Sequence, residues 1–218
     1  MALKIFIDAG HGGEDSGAVG INGRLEKDDN LKFALALGDS LKSYGFEVFQ
    51  SRSTDKFLSL TERTNMANNM HADLFLSIQR NAFNDPKSNG IEVFIYPTVG
   101  ESTKDWANKI YNSLINVYAQ SQRGVKTGNL AVLRQTNMSA VLLELGFITN
   151  DLDNQMFDLH FDDYVNAITN CICDRFNIDR TDGISYQIVI GNFSKESEAN
   201  KVLDAIKTIG IIGKVKAV

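Results

Sequence analysis

Short apolar runs that alternate with stretches of helical period constrain this chain more than any other feature. Residues 5–7, 46–49, 73–78, 91–96 and 141–145 read as strands. Between them Leu31, Ala34, Leu35, Gly38 and Leu41 recur at helical spacing, with Gly45 as a stop. Ser59 followed by Glu62 has the form of a capping box that opens a second helix. Residues 103–119 and 162–176 supply two more helices. Strands separated by helices predict an α/β fold with a mostly parallel twisted sheet and helices on both faces. In such folds reactive groups gather where the strands end at their carboxyl edge.

The pattern covers residues 1–177 and then breaks. Residues 178–185 are polar and read as a linker, after which Tyr186 to Phe193 alternates like a strand. A helix follows with an apolar face that includes Val202, Ile206 and Ile209, then a last strand from 214 to 218. A βαβ appendage of this size, residues 186–218, has too little surface to bury a core alone. A homodimer held through this segment is therefore the expectation.

Composition narrows the partners. The 218 residues are 43% hydrophobic and 22% charged, which is ordinary for a globular chain. A net charge of -5 gives no electrostatic reason for nucleic acid or an anionic membrane as partner. No apolar run has the length of a membrane span. The first residues pass directly into a strand pattern and lack the regions of a secretory signal, so the expectation is a chain made in the cytoplasm that acts elsewhere only after release. Cys171 and Cys173, two apart in a helical stretch, point to different sides and are expected as core residues without a disulfide.

Three residues carry candidate chemistry. His11 sits in Ile7-Asp-Ala-Gly-His-Gly-Gly13, a glycine-rich turn after the first strand, with Asp8 as a candidate orienting group. The same turn lacks the spacing of a phosphate-binding loop. Glu26 precedes a helix, where a solvated N-terminal charge is the alternative to metal ligation. Glu144 lies among apolar residues in a strand, an environment that disfavours an ionised carboxylate unless it has a task.

These segments resemble the zinc-dependent N-acetylmuramoyl-L-alanine amidases of the amidase-3 type, which include sporulation amidases and clostridial phage endolysins. The resemblance is carried by IDAGHGG at 7–13, LEKDDNL at 25–31, SRSTD at 51–55, LTERTNMAN at 60–68, ADLFLSIQRNAF at 72–83, GIEVF at 90–94 and RGVKTGNLAVLRQTNMSAVLLELGFITN at 123–150. It implies that His11 and Glu26 bind zinc and that Glu144 is catalytic. The implied reaction is attack of zinc-activated water, with its pKa lowered to roughly 7, on the amide between N-acetylmuramic acid and L-alanine of peptidoglycan. Glu144 would carry the proton from water to the leaving amine.

One position departs from the pattern. The third zinc ligand of the family is the histidine of a Ser-Ile-His motif, and this chain reads Ser77-Ile78-Gln79. A carboxamide oxygen is a poor zinc ligand, so weak or absent zinc and a crippled hydrolase are the expectation, in a variant either deliberately inactivated or naturally degenerate. His71 is no substitute, since strand geometry places it roughly 20 Å from the site, and His160 lies in the approach to the last helix. The alternative reading is a non-catalytic peptidoglycan-binding protein that keeps the amidase fold. The tail, beginning Tyr186-Gln-Ile-Val-Ile-Gly-Asn-Phe193, resembles half of a sporulation-related repeat, which implies binding to glycan strands.

Overall fold

The computed structural model describes residues 2–118, 121–179 and 195–207. The chain divides into two units, Met1–Asp182 and Gly183–Val218. The first is a six-stranded sheet in the order β2-β1-β3-β6-β4-β5. Its strands are β1 Lys4–Ala9, β2 Glu47–Gln50, β3 Leu74–Asn81, β4 Ile91–Ile95, β5 Gln122–Thr127 and β6 Ser139–Phe147. All neighbours pair in parallel except β4 with β6. The helices are α1 Glu26–Ser43, α2 Leu60–Asn69, α3 Glu101–Val117, α4 Ala131–Arg134, α5 Asp151–Leu159 and α6 Phe161–Arg175.

Alternation along the central strands splits the core between the two faces of the sheet. Ile5, Ile7, Leu74, Leu76, Ile78, Val141 and Leu143 point to the larger layer, closed by Phe33, Leu37, Trp106, Ile110 and Ile168 from α1, α3 and α6. Phe6, Phe75, Ala140 and Leu142 point to the smaller layer, closed by Ala67 of α2 and Val132 and Leu133 of α4. Continuing past Phe6, Phe75 and Leu142, the same face carries Asp8, Ser77, Gln79 and Glu144. Two short helices leave room for a cleft at this end of the sheet.

The capping box forms as the sequence predicts: Glu62 N donates to Ser59 Oγ at 3.3 Å, and Ser59 N to Glu62 Oε2 at 2.8 Å. The elements β5, α4 and α5 escape the sequence pattern. Strand β5 is an edge strand of half-buried and exposed residues, interrupted by Gly124 at a φ of 80°, so it carries no apolar alternation. Helix α5 starts from an Asn150 cap, whose side chain accepts from Asp153 N at 3.0 Å, and it buries Asp153, Asn154 and Phe157 while leaving Leu152 and Leu159 exposed, so its buried face does not follow its apolar stripe. Cys171 and Cys173 are buried and unbridged. In the second unit the described residues form one helix, α7 Glu196–Lys207, and the predicted strands of the tail lie outside the described residues. Among the described residues no helix is long and apolar enough to cross a membrane.

Candidate active site

Parallel pairing of β1, β3 and β6 draws the four sequence candidates together. Ala9 lies beside Ile78 across β1 and β3, and Gln79 lies beside Glu144 across β3 and β6. The turn after β1 carries His11 at a φ of 59°, a left-handed conformation uncommon for a residue with a side chain. Two buried arginines hold that turn by its carbonyls. Arg63 donates to Ala9 O at 2.6 Å and His11 O at 2.7 Å, while Arg52 donates to Ala9 O at 3.0 Å and Gly10 O at 2.9 Å. Gly10 packs directly against the Gln79 carboxamide, which would have to move to admit a Cβ there. Gly17, at a φ of 63°, is equally close, with space for a Cβ only 2.6 Å from His11 Cδ2 and 2.7 Å from Glu26 Oε2.

His11 and Glu26 meet directly. His11 Nε2 lies 3.3 Å from Glu26 Oε2, and Nδ1 lies 2.9 Å from Asp15 Oδ2. The orienting carboxylate is therefore Asp15, not Asp8. Asp8 is instead buried in an ion pair with Arg63 at 2.8 Å and accepts from Ser77 Oγ at 3.0 Å. Glu26 is buried, not solvated: it accepts from the backbone N–H groups of Ala18 and Arg80 at 2.9 and 3.0 Å. The Glu26 hydrogen bond, with Glu26 and Asp15 charges adding to it against burial, raises the His11 pKa to about 9. Burial works to raise the Glu26 pKa, but contact with His11 and the two backbone donors outweigh it and hold the pKa below the usual value.

Gln79 sits among the same groups. Its Oε1 accepts from Asn30 Nδ2 at 3.2 Å, and its Nε2 donates to Ser77 Oγ at 3.1 Å. Asn30, one helical turn beyond Glu26 on α1, also donates weakly to Glu26 Oε1 at 3.3 Å. The donor set present is thus an imidazole, a carboxylate and a neutral carboxamide already engaged in hydrogen bonds. Zinc is held by imidazole, carboxylate or thiolate, so these residues do not complete a three-ligand zinc site. Among the described residues no group of three His, Cys, Asp or Glu side chains is placed to hold a metal ion. His71 lies at the amino end of β3, before Leu74, and His160 is engaged with Asp163 at 3.0 Å and stacked on Tyr118.

Glu144 is placed differently. Its Oε2 is buried without a hydrogen-bond partner. Burial, reinforced by the negative charges of Glu26 and Glu92, pushes its pKa up to about 8, so at pH 7 it holds its proton. A cavity of about 430 Å³ is lined by His11 and Gln79 together with Phe57, Leu60, Leu130 and Val132, and Glu144 lies outside that lining. An apolar cleft with a few convergent polar groups is the usual form of a ligand site.

Several residues of the site carry no sequence signal of their own. Asp15 and Asn30 each stand four residues after a candidate ligand, a spacing that suits a supporting role but is common by chance. Arg80, which follows Gln79, is fully buried and ties the site to its surroundings through Asp29 at 2.6 Å and Asn154 at 2.7 Å. Nothing in the sequence marks it as buried.

The sheet carries His11, Glu26 and Glu144 at one end, and the family match of the chain makes it a hydrolase of the amidase class. Residues 5–175 match the N-acetylmuramoyl-L-alanine amidase family, and the chain belongs to that family. It is 37% identical over 204 residues to the N-acetylmuramoyl-L-alanine amidase CwlM of Bacillus licheniformis, covering 92% of this chain and 79% of the relative. It is 38% identical over 205 residues to the sporulation-specific N-acetylmuramoyl-L-alanine amidase of Bacillus subtilis, with the same coverage. The crystal structure of an N-acetylmuramoyl-L-alanine amidase from Clostridium difficile superposes with a TM-score of 0.77 at 31% identity, over 81% of this chain and 97% of that one.

Proposed function

We propose that this chain recognises peptidoglycan at the amide joining N-acetylmuramic acid to L-alanine, and that hydrolysis of that amide is crippled in this copy at Gln79. The observation that carries the reading is the Gln79 carboxamide, seated between Gly10 and Asn30 beside an otherwise formed His11–Glu26 pair and Glu144. The family is generally zinc-dependent, and zinc supplies activated water and polarises the carbonyl when bound. The residues of this chain supply the rest. Glu144 is the group placed to move a proton between water and the leaving amine. With its pKa near 8 it begins protonated at pH 7, a form suited to protonating an amine and unsuited to taking a proton from water. The uncompleted donor set slows the reaction whose products would be a glycan strand and a free stem peptide.

The second reading, a binding protein without turnover, is favoured by the hydrogen bonds that Gln79 makes to Asn30 and Ser77, which engage both ends of the carboxamide in the absence of an ion. Zinc content and loss of turbidity of purified cell walls, measured for the chain and for Gln79→His, separate the two. Low zinc and slow lysis in the parent with recovery of both in Gln79→His supports the crippled hydrolase. Wall binding with no lysis in either form favours the binder, and absence of wall binding overturns both. We also propose that residues 186–218 bind the wall and pair two copies of the chain. Deleting residues 181–218 should then give a monomer with weaker wall binding, and a full-length chain that sediments as a monomer at micromolar concentration rejects the pairing.

A further inference from the structure

Next to Glu144 stands a charged cluster that the proton-transfer chemistry does not use. Glu92 lies directly opposite Glu144 in the antiparallel register of β4 and β6, and it is only 2% exposed. Its Oε1 accepts from Lys126 Nζ at 2.7 Å and from Arg123 Nε, and its Oε2 accepts from Asn81 Nδ2 at 3.2 Å. One cation would neutralise this carboxylate. Two are present, which leaves the cluster of Glu92, Arg123 and Lys126 with one unit of positive charge.

Both cations are fixed yet reachable. The side chains of Arg123 and Lys126 are 33% and 40% exposed. The Arg123 guanidinium carbon lies 4.9 Å from the centre of the Phe147 ring, so Glu92 holds the group by one edge and Phe147 by a face. Among the described residues the terminal nitrogens of Arg123 have no hydrogen-bond acceptor. A planar fork of N–H groups with a neighbouring ammonium, held in place before a ligand arrives, is suited to a carboxylate.

We propose that Arg123 and Lys126 form a subsite for the free α-carboxylate of the second stem residue, the γ-linked D-glutamate of an unamidated wall. The proposal rests on the peptidoglycan reading above and assigns direction to it: the stem runs from Glu144 over β4 towards β5. The reach is consistent. One extended residue spans ~3.5 Å, so this carboxylate lies ~7 Å from the scissile nitrogen. Neighbouring strands are ~4.8 Å apart, which puts the Glu92 cluster, one to two strands from Glu144, at that range. An amidated stem presents a neutral carboxamide there and loses the charge-assisted bonds.

The test is calorimetric titration of the full chain with two synthetic probes, N-acetylmuramoyl-L-alanyl-D-glutamate capped as its γ-methylamide and the α-amide of the same capped compound, so that the two differ only in the charge of the α-carboxyl group. The acid is expected to bind about tenfold or more tightly than the amide at low ionic strength. Lys126→Met and Arg123→Met should each shrink the preference, and Lys126→Arg should keep it. Each single change leaves Glu92 one cation and Asn81, so folding is not put at risk. Co-sedimentation with cell walls stripped of anionic polymers runs in parallel and reports the peptidoglycan reading alone. A chain that pellets with the walls but shows no acid preference, or keeps its full preference in both methionine variants, overturns the subsite. A chain that stays in solution overturns the subsite and the reading beneath it.

Discussion

The two sides of the candidate site are built on opposite terms. On the side of β1 and α1, His11, Glu26 and Gln79 are bonded to one another's neighbours: Glu26 accepts two backbone N–H groups, His11 touches Glu26 and Asp15, and Gln79 touches Asn30 and Ser77. On the side of β6, Glu144 has a buried oxygen with no partner and a second carboxylate, Glu92, across the strand. The first side is mostly paired, with Asn30 Oδ1 as its one buried oxygen without a partner, so the carboxamide at 79 sits in a largely bonded setting. The second side works against folding, because a buried unpaired carboxyl oxygen lowers stability and the charges of His11 and Arg80 offset its burial only in part. A group kept under such conditions points to chemistry, not architecture. On the reading proposed above, the carboxamide at 79 would leave the donor set incomplete while Glu144 would still be available for proton transfer.

The largest break of this contrast is expected in turnover. With Gln79→His restoring an imidazole, adding Glu144→Gln should lower wall lysis by ~10²- to 10⁴-fold while leaving zinc content unchanged. A loss below tenfold would reduce Glu144 to a structural residue and erase the difference between the two sides.

Next is the metal. Gln79→His alone should raise zinc affinity by about a hundredfold or more, beyond the ~10–100-fold that supporting residues around a metal typically contribute. Equilibrium dialysis against buffered zinc reads it directly. The steric fit is favourable, since the space facing Gly10 already holds a flat side chain. Equal zinc affinity in parent and Gln79→His would show that the carboxamide does not limit the site.

The two sides also differed in how far they could be read from sequence. Glu144 was legible because a carboxylate inside an apolar strand is unusual locally, whereas the glycine-rich turn of His11 was a modest signal, an acidic residue at a helix start such as Glu26 is common, and the two were read as a pair only through the resemblance carried by their motifs. Asp15 was not legible, and Asp8 was expected in its place, because only the left-handed turn at His11 decides which carboxylate the ring faces. Glu92, Arg123 and Lys126 were hidden for a different reason. The two cations lie on β5, whose polar edge-strand residues give no periodic signal, and their partner is opposite Glu144 only because β4 runs antiparallel within an otherwise parallel sheet. Pairing direction is a tertiary outcome that local pattern does not encode.

A third test uses stability. The Glu144 pKa is raised from 4.5 to about 8, so the folded chain holds a proton that the unfolded chain has released between those values. The stability linked to that proton is complete below pH 4.5 and lost as pH rises through 8. Glu144→Gln removes the titration, so it should be more stable than the parent by ~1–3 kcal/mol at pH 9, with the gap closing towards pH 4. Denaturant melts at both pH values measure it. A gap that is constant with pH would mean that Glu144 is already ionised, and so satisfied, at neutral pH.

The smallest effect concerns His11, on the mostly paired side. In the zinc-free chain its pKa of about 9 comes first from the Glu26 hydrogen bond, with Asp15 contributing less. A raised histidine pKa adds stability that is present below pH 6.5 and lost as pH rises through 9. Asp15→Asn should therefore lower the His11 pKa by about one unit or less, because Asp15 is partly exposed and its charge is screened. The ring should still titrate above the ordinary 6.5, because Glu26 remains buried at 3.3 Å. Nuclear magnetic resonance of the ring protons follows the titration. A His11 that titrates at 6.5 in the parent would show that the imidazole and Glu26 do not form an ion pair, and the mostly paired side would lose the contact that sets it apart from Glu144.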